Sequence, residues 1–170
     1  MRVTHVLVPT DFSDTAARAL QYAFEEARIH GAKVTLLHVV PPGTRTEVYY
    51  VGAAAGHSGP FDPAASTRVG APWPIPPTTV VRDDVGDGVL TQLQDLVPQA
   101  FRHRCGVELA VGSPAETIVR IAQEQAADLI VMGTHGRTGL QHALLGSVAE
   151  KVVRLAPCPV LTVRATSDTT

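Results

Sequence analysis

Two short apolar runs with one helix-length segment between them constrain the fold of this chain more than any other feature. The runs HVLVP (5–9) and KVTLLHVV (33–40) are apolar at most successive positions, which is typical of strands buried on both faces of a parallel sheet. The segment between them has the helical period, with Ser13 as a suitable N-cap and Gly31 at the C-terminal stop. The chain therefore opens with a β-α-β unit.

The same alternation continues to the end of the chain. We predict strands at 106–112, 128–133 and 159–164, and helices at 84–104 (which Pro98 should interrupt), 114–126 and 148–156. Five strands alternating with four helices predict an α/β fold: an open, doubly wound, five-stranded parallel sheet, Rossmann-like, with helices on both faces. Ligands bind such sheets at the carboxyl ends of the strands, where the strand order reverses.

Helix starts are marked by a recurring pattern of polar residues. Ser113 with Glu116, and Ser147 with Glu150, have the spacing of capping boxes. In a capping box the serine side chain accepts a hydrogen bond from the backbone three residues on, and the glutamate reaches back. We therefore predict that two helices begin with these pairs.

Composition limits the classes of function. The 170 residues suit one domain, and a net charge of −2 leaves no basic surface for nucleic acid or for an acidic membrane. No apolar run reaches the roughly 18 residues that span a bilayer. The N-terminus lacks the pattern of a signal peptide. Cys105 and Cys158 lie far apart without metal-ligand spacing, so we expect a reduced, cytoplasmic protein.

One long segment departs from the alternation. Residues 41–77 are dense in proline, glycine, alanine and serine, which predicts a long loop inserted into the single domain of residues 1–170. A tolerated surface insertion is one interpretation, and its four aromatic residues leave a lid or a partner contact as the other. The polar residues 165–170 predict a flexible tail.

The connection GTHGRTGLQHALLGS (133–147) carries the strongest indication of a ligand. Gly133 and Gly136 have no Cβ, so the chain can turn tightly and a ligand can approach its amides. Gly146 and Ser147 stand at the entry of the last helix, where unpaired N–H groups and the helix dipole favour an anion such as phosphate. The alternative is a glycine-rich turn with an ordinary cap, in which the Ser147 hydroxyl serves the helix and not a ligand.

Two familiar phosphate loops are absent from the sequence. No Gly-Lys-Ser/Thr occurs, which a Walker A motif requires. The spacing of Gly133, Gly136 and Gly139 is not that of the dinucleotide fingerprint, and these glycines follow the fourth strand and not the first.

A second loop, PTDFS (9–13), follows the first strand. An acidic residue just past a buried strand, here Asp11, is well placed to accept hydrogen bonds from sugar hydroxyls. Its alternative role is to cap the first helix together with Ser13. Asp11 precedes the best cap position, which favours the ligand role slightly.

Together these segments resemble the universal stress protein family of the UspA type. The resemblance covers VLVPTDFSDTAARAL, LLHVV and the stretch from GSPAETIVR to PCPVLTV, which is nearly the whole chain apart from residues 41–77 and the tail. Its most specific part is the family's nucleotide signature, G-x2-G-x9-G-[S/T], matched by Gly133, Gly136, Gly146 and Ser147. Family members with that signature generally bind ATP, so the resemblance implies an ATP-binding member with the Rossmann-like fold of the adenine nucleotide alpha hydrolases.

The resemblance also implies roles for individual residues. Asp11 would hold the ribose, with Pro9 and Thr10 shaping that wall, and Val39 would meet the adenine edge through its backbone. The base and ribose would be lined by Met132 and Gly133, and the phosphates would be surrounded by Gly136, Arg137, Gly146, Ser147 and Val148. The nucleotide would be ATP, ADP or AMP, with Mg2+ carried on the phosphates. No catalytic residue and no dedicated metal ligand is indicated.

Family members usually form homodimers by pairing the last strand, here PVLTVR from Pro159 to Arg164, across a two-fold axis. This agrees with an apolar edge strand, which monomers seldom leave open. Three functions remain: a nucleotide-dependent regulator of a stress response with little turnover and a protein partner still unknown, a slow ATPase or nucleotidyl- or phosphoryl-transfer enzyme, and a nucleotide-free dimeric scaffold. The intact signature disfavours the scaffold, and the lack of an evident catalytic base disfavours the enzyme.

Overall fold

The computed structural model describes residues 2–42, 47–51, 58–60, 79–82, 84–135 and 145–164, with the backbone alone for 47–51, 58–60, 79–82 and 84–87. Its strands are β1 (His5–Pro9), β2 (Lys33–Val40), β3 (Glu47–Val51), β4 (Ser58–Pro60), β5 (Thr79–Arg82), β6 (Cys105–Val111), β7 (Leu129–Gly133) and β8 (Val160–Val163). Its α-helices are α1 (Asp14–His30), α2 (Asp84–Asp95), α3 (Pro114–Glu124) and α4 (Ser147–Leu155).

Five of the strands form one parallel sheet in the order β6-β2-β1-β7-β8. The chain moves outward from β1 through β2 to β6, and then returns to the other side of β1 to add β7 and β8. The strand order therefore reverses between β1 and β7. The prediction of an open, doubly wound, five-stranded parallel sheet is confirmed.

Two apolar cores cover the two faces of this sheet. Along β1 the side chains alternate, so that Val6 and Val8 join one core and Leu7 joins the other. The first core contains the apolar face of α1 and Leu93 of α2. The second contains the apolar faces of α3 and α4. Burial on both faces explains why β1 is apolar at so many successive positions.

The first helix begins and ends where the sequence predicts. The Ser13 side chain accepts a hydrogen bond from the amide of Ala16 at 3.2 Å. Gly31 ends the helix in the left-handed conformation at φ 66°, which glycine adopts without a Cβ penalty. The interruption by Pro98 is also confirmed, because α2 ends at Asp95 and a 3-10 turn follows at Gln99–Phe101.

The two predicted capping boxes do not form. Ser113 is the N-cap of α3, but its side chain makes no capping hydrogen bond. The N-cap of α4 is Gly146, so Ser147 is the first helical residue, one position too late to cap. The spacing of serine and glutamate does not determine which residue is the N-cap. At α4 the N-cap is Gly146, the residue before Ser147.

The segment 41–77 contains strands that the sequence analysis missed. β3 pairs antiparallel with β4 and with β5, giving a three-stranded sheet in the order β4-β3-β5. The prediction of a loop without regular structure is therefore wrong for these residues. Their strands are short and lie among prolines and glycines, so no period was visible. The tail 165–170 lies outside the described residues.

A polar chain crosses the amino-terminal half of the sheet. His5, 1% exposed, contacts Thr35 Oγ1 through Nε2 at 2.8 Å and the Gln125 carbonyl through Nδ1 at 3.1 Å. Thr35 Oγ1 also donates to Gln125 Oε1 at 3.1 Å, and Gln125 Nε2 donates to Glu108 Oε2 at 2.5 Å. Burial, followed by the Lys33 charge, lowers the pKa of His5 from 6.5 to about 4. Burial raises the pKa of Glu108.

In the part of the chain that is described, no helix has both the length and the apolar character needed to cross a membrane.

We predict that acid destabilises the protein through His5. Because the folded pKa is below the unfolded one, the unfolded chain binds the extra proton first, and stability falls as pH drops from about 6.5 towards 4. The His5 contribution over that window is about 3 kcal/mol, at about 1.36 kcal/mol for each pKa unit. Urea unfolding of the wild type and of His5→Gln between pH 4 and 7.5 measures the contribution as a difference between their slopes.

The two slopes must be compared because Glu108 changes the stability in the opposite direction over the same pH range. Its raised pKa means that the folded protein keeps its proton to higher pH, so this contribution falls as pH rises above the ordinary value of 4.5. His103→Gln, at an exposed position before β6, is the matched control for losing a histidine side chain. Equal slopes for wild type and His5→Gln would contradict the prediction.

Candidate functional site at the β1–β7 reversal

The carboxyl ends of β1 and β7 meet where the strand order reverses. Leu7 of β1 pairs with Ile130 of β7, and beyond this pair the two strands end at Pro9 and at Gly133. Asp11 follows the first of these strands and Gly133 ends the second. This is the place where doubly wound sheets bind ligands. The turn at residues 10–13 and the start of the connection after Gly133 therefore lie at one rim.

The β1–α1 turn, residues 10–13, is held by its own side chains. The Thr10 amide donates to the Leu37 carbonyl of β2 at 2.8 Å, and the Phe12 amide donates to Thr10 Oγ1 at 3.1 Å. Asp11 Oδ1 accepts from the Ser13 amide at 3.1 Å and from Ser13 Oγ at 2.6 Å. Asp11 thus orients the residue that caps α1, as the alternative interpretation stated. The same bonds fix where its carboxylate lies at the rim.

Gly133 is required for packing between β7 and α1. A Cβ built on it would lie 2.9 Å from Thr15 Cγ2 and 3.2 Å from the Thr15 backbone carbon. The sequence predicts that this glycine leaves space for a tight turn and a ligand, whereas the structure shows the first turn of α1 in that space. Gly133 serves the site by bringing the start of α1 against the end of β7.

Thr134 connects β7 to two neighbouring elements and is 1% exposed. Its amide donates to the Val163 carbonyl of β8 at 2.8 Å, and its carbonyl accepts from the Gly146 amide at 2.7 Å. A Cβ on Gly146 would lie 3.0 Å from that carbonyl oxygen. Gly146 therefore closes the connection onto the end of β7, and its own N–H is already used.

The start of α4 carries backbone N–H groups to which its N-cap, a glycine, offers no side chain. The first bond within this helix runs from the Glu150 amide to the Gly146 carbonyl at 2.9 Å, so the amides of Ser147, Val148 and Ala149 precede it. The N-cap residue, Gly146, has no side chain that could accept from these amides, and Ser147 is exposed. Of the two interpretations of Ser147, the structure therefore disfavours the cap. An uncapped helix start of this kind suits an anion.

The remaining predicted site residues are distributed around the same rim. Pro9 and Thr10 are buried at the end of β1, and Val39 is half-buried near the end of β2. Met132 is 5% exposed, and its side chain belongs to the core under α3 and α4, so it adjoins the site from within the sheet. Gly136 and Arg137 lie outside the described residues.

Two contributors to the rim escaped the sequence analysis. The first is Thr134, whose peptide group makes the two connections above, and whose only signal was its place directly after Gly133. The second is Thr15, whose side chain fills the space at Gly133 and which looks like any residue of a first helical turn. His38, near the end of β2, is half-buried with Nδ1 2.7 Å from the Thr10 carbonyl oxygen.

Other candidate groups do not assemble into a site. Among the residues described, no three His, Cys, Asp or Glu side chains are grouped so that they could hold a metal ion. Burial raises the pKa of the Cys105 thiol to about 12, so this residue is a protonated thiol at neutral pH.

Comparison with known proteins places these features in a family. The sequence model described as the universal stress protein family matches residues 2–164. A universal stress protein of Methanocaldococcus jannaschii is 33% identical over 159 residues, which cover 94% of this chain and 81% of that protein.

Two solved structures share the fold. A universal stress protein in complex with cAMP superposes with a TM-score of 0.62 at 24% identity, covering 98% of this chain and 100% of the other. One from Archaeoglobus fulgidus in complex with dAMP has a TM-score of 0.53 at 24% identity, covering 96% and 99%.

We predict that Gly133→Ala destabilises the protein by about 1–3 kcal/mol, the usual cost of overpacking. The added methyl meets the backbone of Thr15 as well as its side chain, so α1 must shift. Gly106→Ala is the matched control, because a Cβ there meets nothing within 4 Å. Urea unfolding measures both, and equal stability of the two variants would contradict the assignment of Gly133 to packing.

Proposed function

Because the chain belongs to the universal stress protein family, we propose that it binds an adenine nucleotide, ATP or its products ADP and AMP, at the β1–β7 rim. The observation that carries the proposal is the uncapped start of α4 beside the end of β7. Two proteins of the same fold were solved with cAMP and with dAMP. That likeness concerns the fold, so the residues of this chain must supply the argument for the ligand.

The phosphates would lie at the start of α4. The amides of Ser147, Val148 and Ala149 precede the first bond of this helix, and the dipole adds positive potential there. The Ser147 hydroxyl stands at the same end and is exposed. Gly146, by contrast, would contribute shape and not a donor, since its amide is bonded to Thr134.

The ribose would lie against Asp11. Its carboxylate is fixed by Ser13 at the end of β1, one strand away from Gly133. A fixed carboxylate at a strand end suits the vicinal hydroxyls of a ribose, as in dinucleotide-binding sheets. Pro9 and Thr10 would form the adjoining wall, and the half-buried Val39 and the backbone at Met132 would line the base.

Mg2+ would be carried by the phosphates and not by protein ligands. The groups at the start of α4 are hydrogen-bond donors and a hydroxyl, which fit a phosphate better than a bare cation. Magnesium commonly keeps several waters and binds substrate phosphates with few protein carboxylates. When bound, it would neutralise phosphate charge, while the chain itself would orient the nucleotide.

We propose that the bound nucleotide regulates the protein, with little turnover. In-line hydrolysis needs a base or a positioning group aimed at the attacking water, and the residues proposed to hold the nucleotide offer hydrogen-bond donors and one carboxylate committed to Ser13. A site built from binding groups suits a switch, in which occupancy changes the population of conformations that a partner recognises.

We also propose a homodimer through β8. This strand is an edge of the parallel sheet, and Leu161 on it is 37% exposed. Val153 and Leu155 of α4, the helix that precedes β8, are 48% and 49% exposed. An apolar edge strand beside exposed apolar helix residues is typical of a surface that pairs with another chain. A second copy would extend the sheet across a two-fold axis.

We predict that Asp11→Ala and Ser147→Ala separate the two halves of the nucleotide site. Asp11→Ala should weaken the binding of adenosine and of ATP by the same factor, about tenfold, because both ligands carry the ribose. Ser147→Ala should weaken the binding of ATP by about tenfold or more, because a hydrogen bond to a charged group contributes about 1.5–3 kcal/mol. The binding of adenosine, which has no phosphate, should be unchanged. Isothermal titration calorimetry with adenosine, AMP, ADP and ATP measures each factor.

Asp11→Asn is the matched control for the turn, since its amide oxygen can still accept from Ser13. Binding that survives Ala substitution at both positions would refute the site. Sustained release of ADP over many turnovers, in the presence of Mg2+, would show that the protein is an ATPase and would contradict the proposal of a regulator with little turnover. A protein that binds none of the four ligands would favour the scaffold.

We predict that Leu161→Lys shifts the protein from dimer to monomer. Charge on an edge strand prevents pairing with another strand, while Leu161 is exposed enough to carry a lysine without unfolding the sheet. Ile29→Lys, at a 64% exposed position of α1, is the control and should leave the dimer intact. Sedimentation velocity measures the mass. A dimer in both variants would exclude β8 as the interface, and a monomeric wild type would exclude the dimer.

A further inference from the structure

His38 makes a short hydrogen bond to the turn that carries Asp11. Its Nδ1 lies 2.7 Å from the Thr10 carbonyl oxygen. A carbonyl can only accept, so Nδ1 carries the proton and donates. His38 belongs to β2, and the bond therefore joins that strand to the residue immediately before Asp11.

Thr10 is held in three directions by this and two other bonds. Its amide donates to the Leu37 carbonyl at 2.8 Å, its carbonyl accepts from His38, and its Oγ1 accepts from the Phe12 amide at 3.1 Å. The backbone leading into Asp11 is thus fixed by two successive residues of β2.

The residue after Asp11 is held by the same histidine. Phe12 has φ 63°, the left-handed conformation that a bulky side chain rarely adopts and that persists only where surrounding contacts enforce it. Its ring lies against the imidazole of His38, with 4.8 Å between the ring centres and 46° between the planes. His38 therefore contacts the residues on both sides of Asp11.

We infer that His38 is a positioning residue for the nucleotide site, fixing the direction of the Asp11 carboxylate from β2 without contacting the ligand itself. The inference rests on the proposed function. Without the bond to Thr10 and the ring contact, the left-handed Phe12 keeps its amide bond to Thr10 and its packing against the first core but loses its contact with β2, and the turn can relax. Asp11 would then leave the place at which a ribose meets it, although Ser13 could still cap α1.

Two substitutions separate the effect of the His38 hydrogen bond from the effect of the side chain's size. His38→Leu keeps an apolar side chain against Phe12 and removes the donor. His38→Asn places an amide N–H close to the position of Nδ1 and keeps the donor. His30→Leu, on the exposed end of α1, is the control for losing a histidine. Unfolding in urea checks that every variant is folded before binding is measured.

Calorimetry with adenosine and with ATP gives the binding result. His38→Leu should weaken the binding of both ligands by the same factor, roughly tenfold, because the ribose contact is common to them and one hydrogen bond is lost. His38→Asn should recover most of that loss, and His30→Leu should bind like the wild type. Wild-type affinity in His38→Leu would overturn the inference, as would an Asn variant as weak as the Leu variant.

A second readout needs no nucleotide. The Ser13 amide donates to Asp11 Oδ1, so its NMR chemical shift reports the carboxylate position. It should move in His38→Leu and return towards the wild-type value in His38→Asn, and the histidine ring nitrogens of the wild type should show a protonated Nδ1. A wild type that binds no nucleotide would overturn the proposed function, and an unmoved Ser13 amide would overturn the positioning role of His38.

Discussion

A parallel sheet must be covered on both faces, and that constraint shapes the rest of this molecule. Two apolar cores, one under α1 and α2 and one under α3 and α4, occupy the faces and leave little polar chemistry there. The polar chain from His5 to Glu108 is one exception, and each of its members has a partner. Polar groups that are available to a ligand are therefore concentrated where strands end and helices begin.

At the rim, backbone groups carry most of the connections. The peptide groups of Thr10 and Thr134 tie β1 to β2 and β7 to β8, and Thr134 also receives the start of α4. Glycine at positions 133 and 146 permits close approach of helix α1 and of a carbonyl oxygen. The site thus depends on how tightly the elements pack as much as on which side chains are present.

The sequence predicted the architecture well because the architecture follows from periodicity. The successive apolar residues of β1 and β2 and the stop at Gly31 are local signals, and the structure reproduces them. The candidate residues at positions 11, 133 and 146 also share one rim, as topology requires.

What the sequence missed depends on contacts between distant segments. Nothing near Gly133 reveals that Thr15 fills its space, and nothing near Ser147 reveals that Gly146 takes the cap position by bonding to Thr134. The short strands β3 and β4 had too few residues to show a period. Whether Gly136 and Arg137 meet a phosphate stays a prediction.

The two helix starts at this rim differ in how their positive ends are balanced. At α1 the chain supplies its own counter-charge, because the Asp11 carboxylate is bonded to the capping serine. At α4 the N-cap is a glycine, which offers no side chain to the helix amides, while Glu150 lies in the first turn. If a nucleotide phosphate accepts from these amides, the nucleotide binds the folded chain and not the unfolded one, so thermal stability rises with the logarithm of its concentration. The lifetime of the protein in a cell would then follow the cell's supply of that nucleotide.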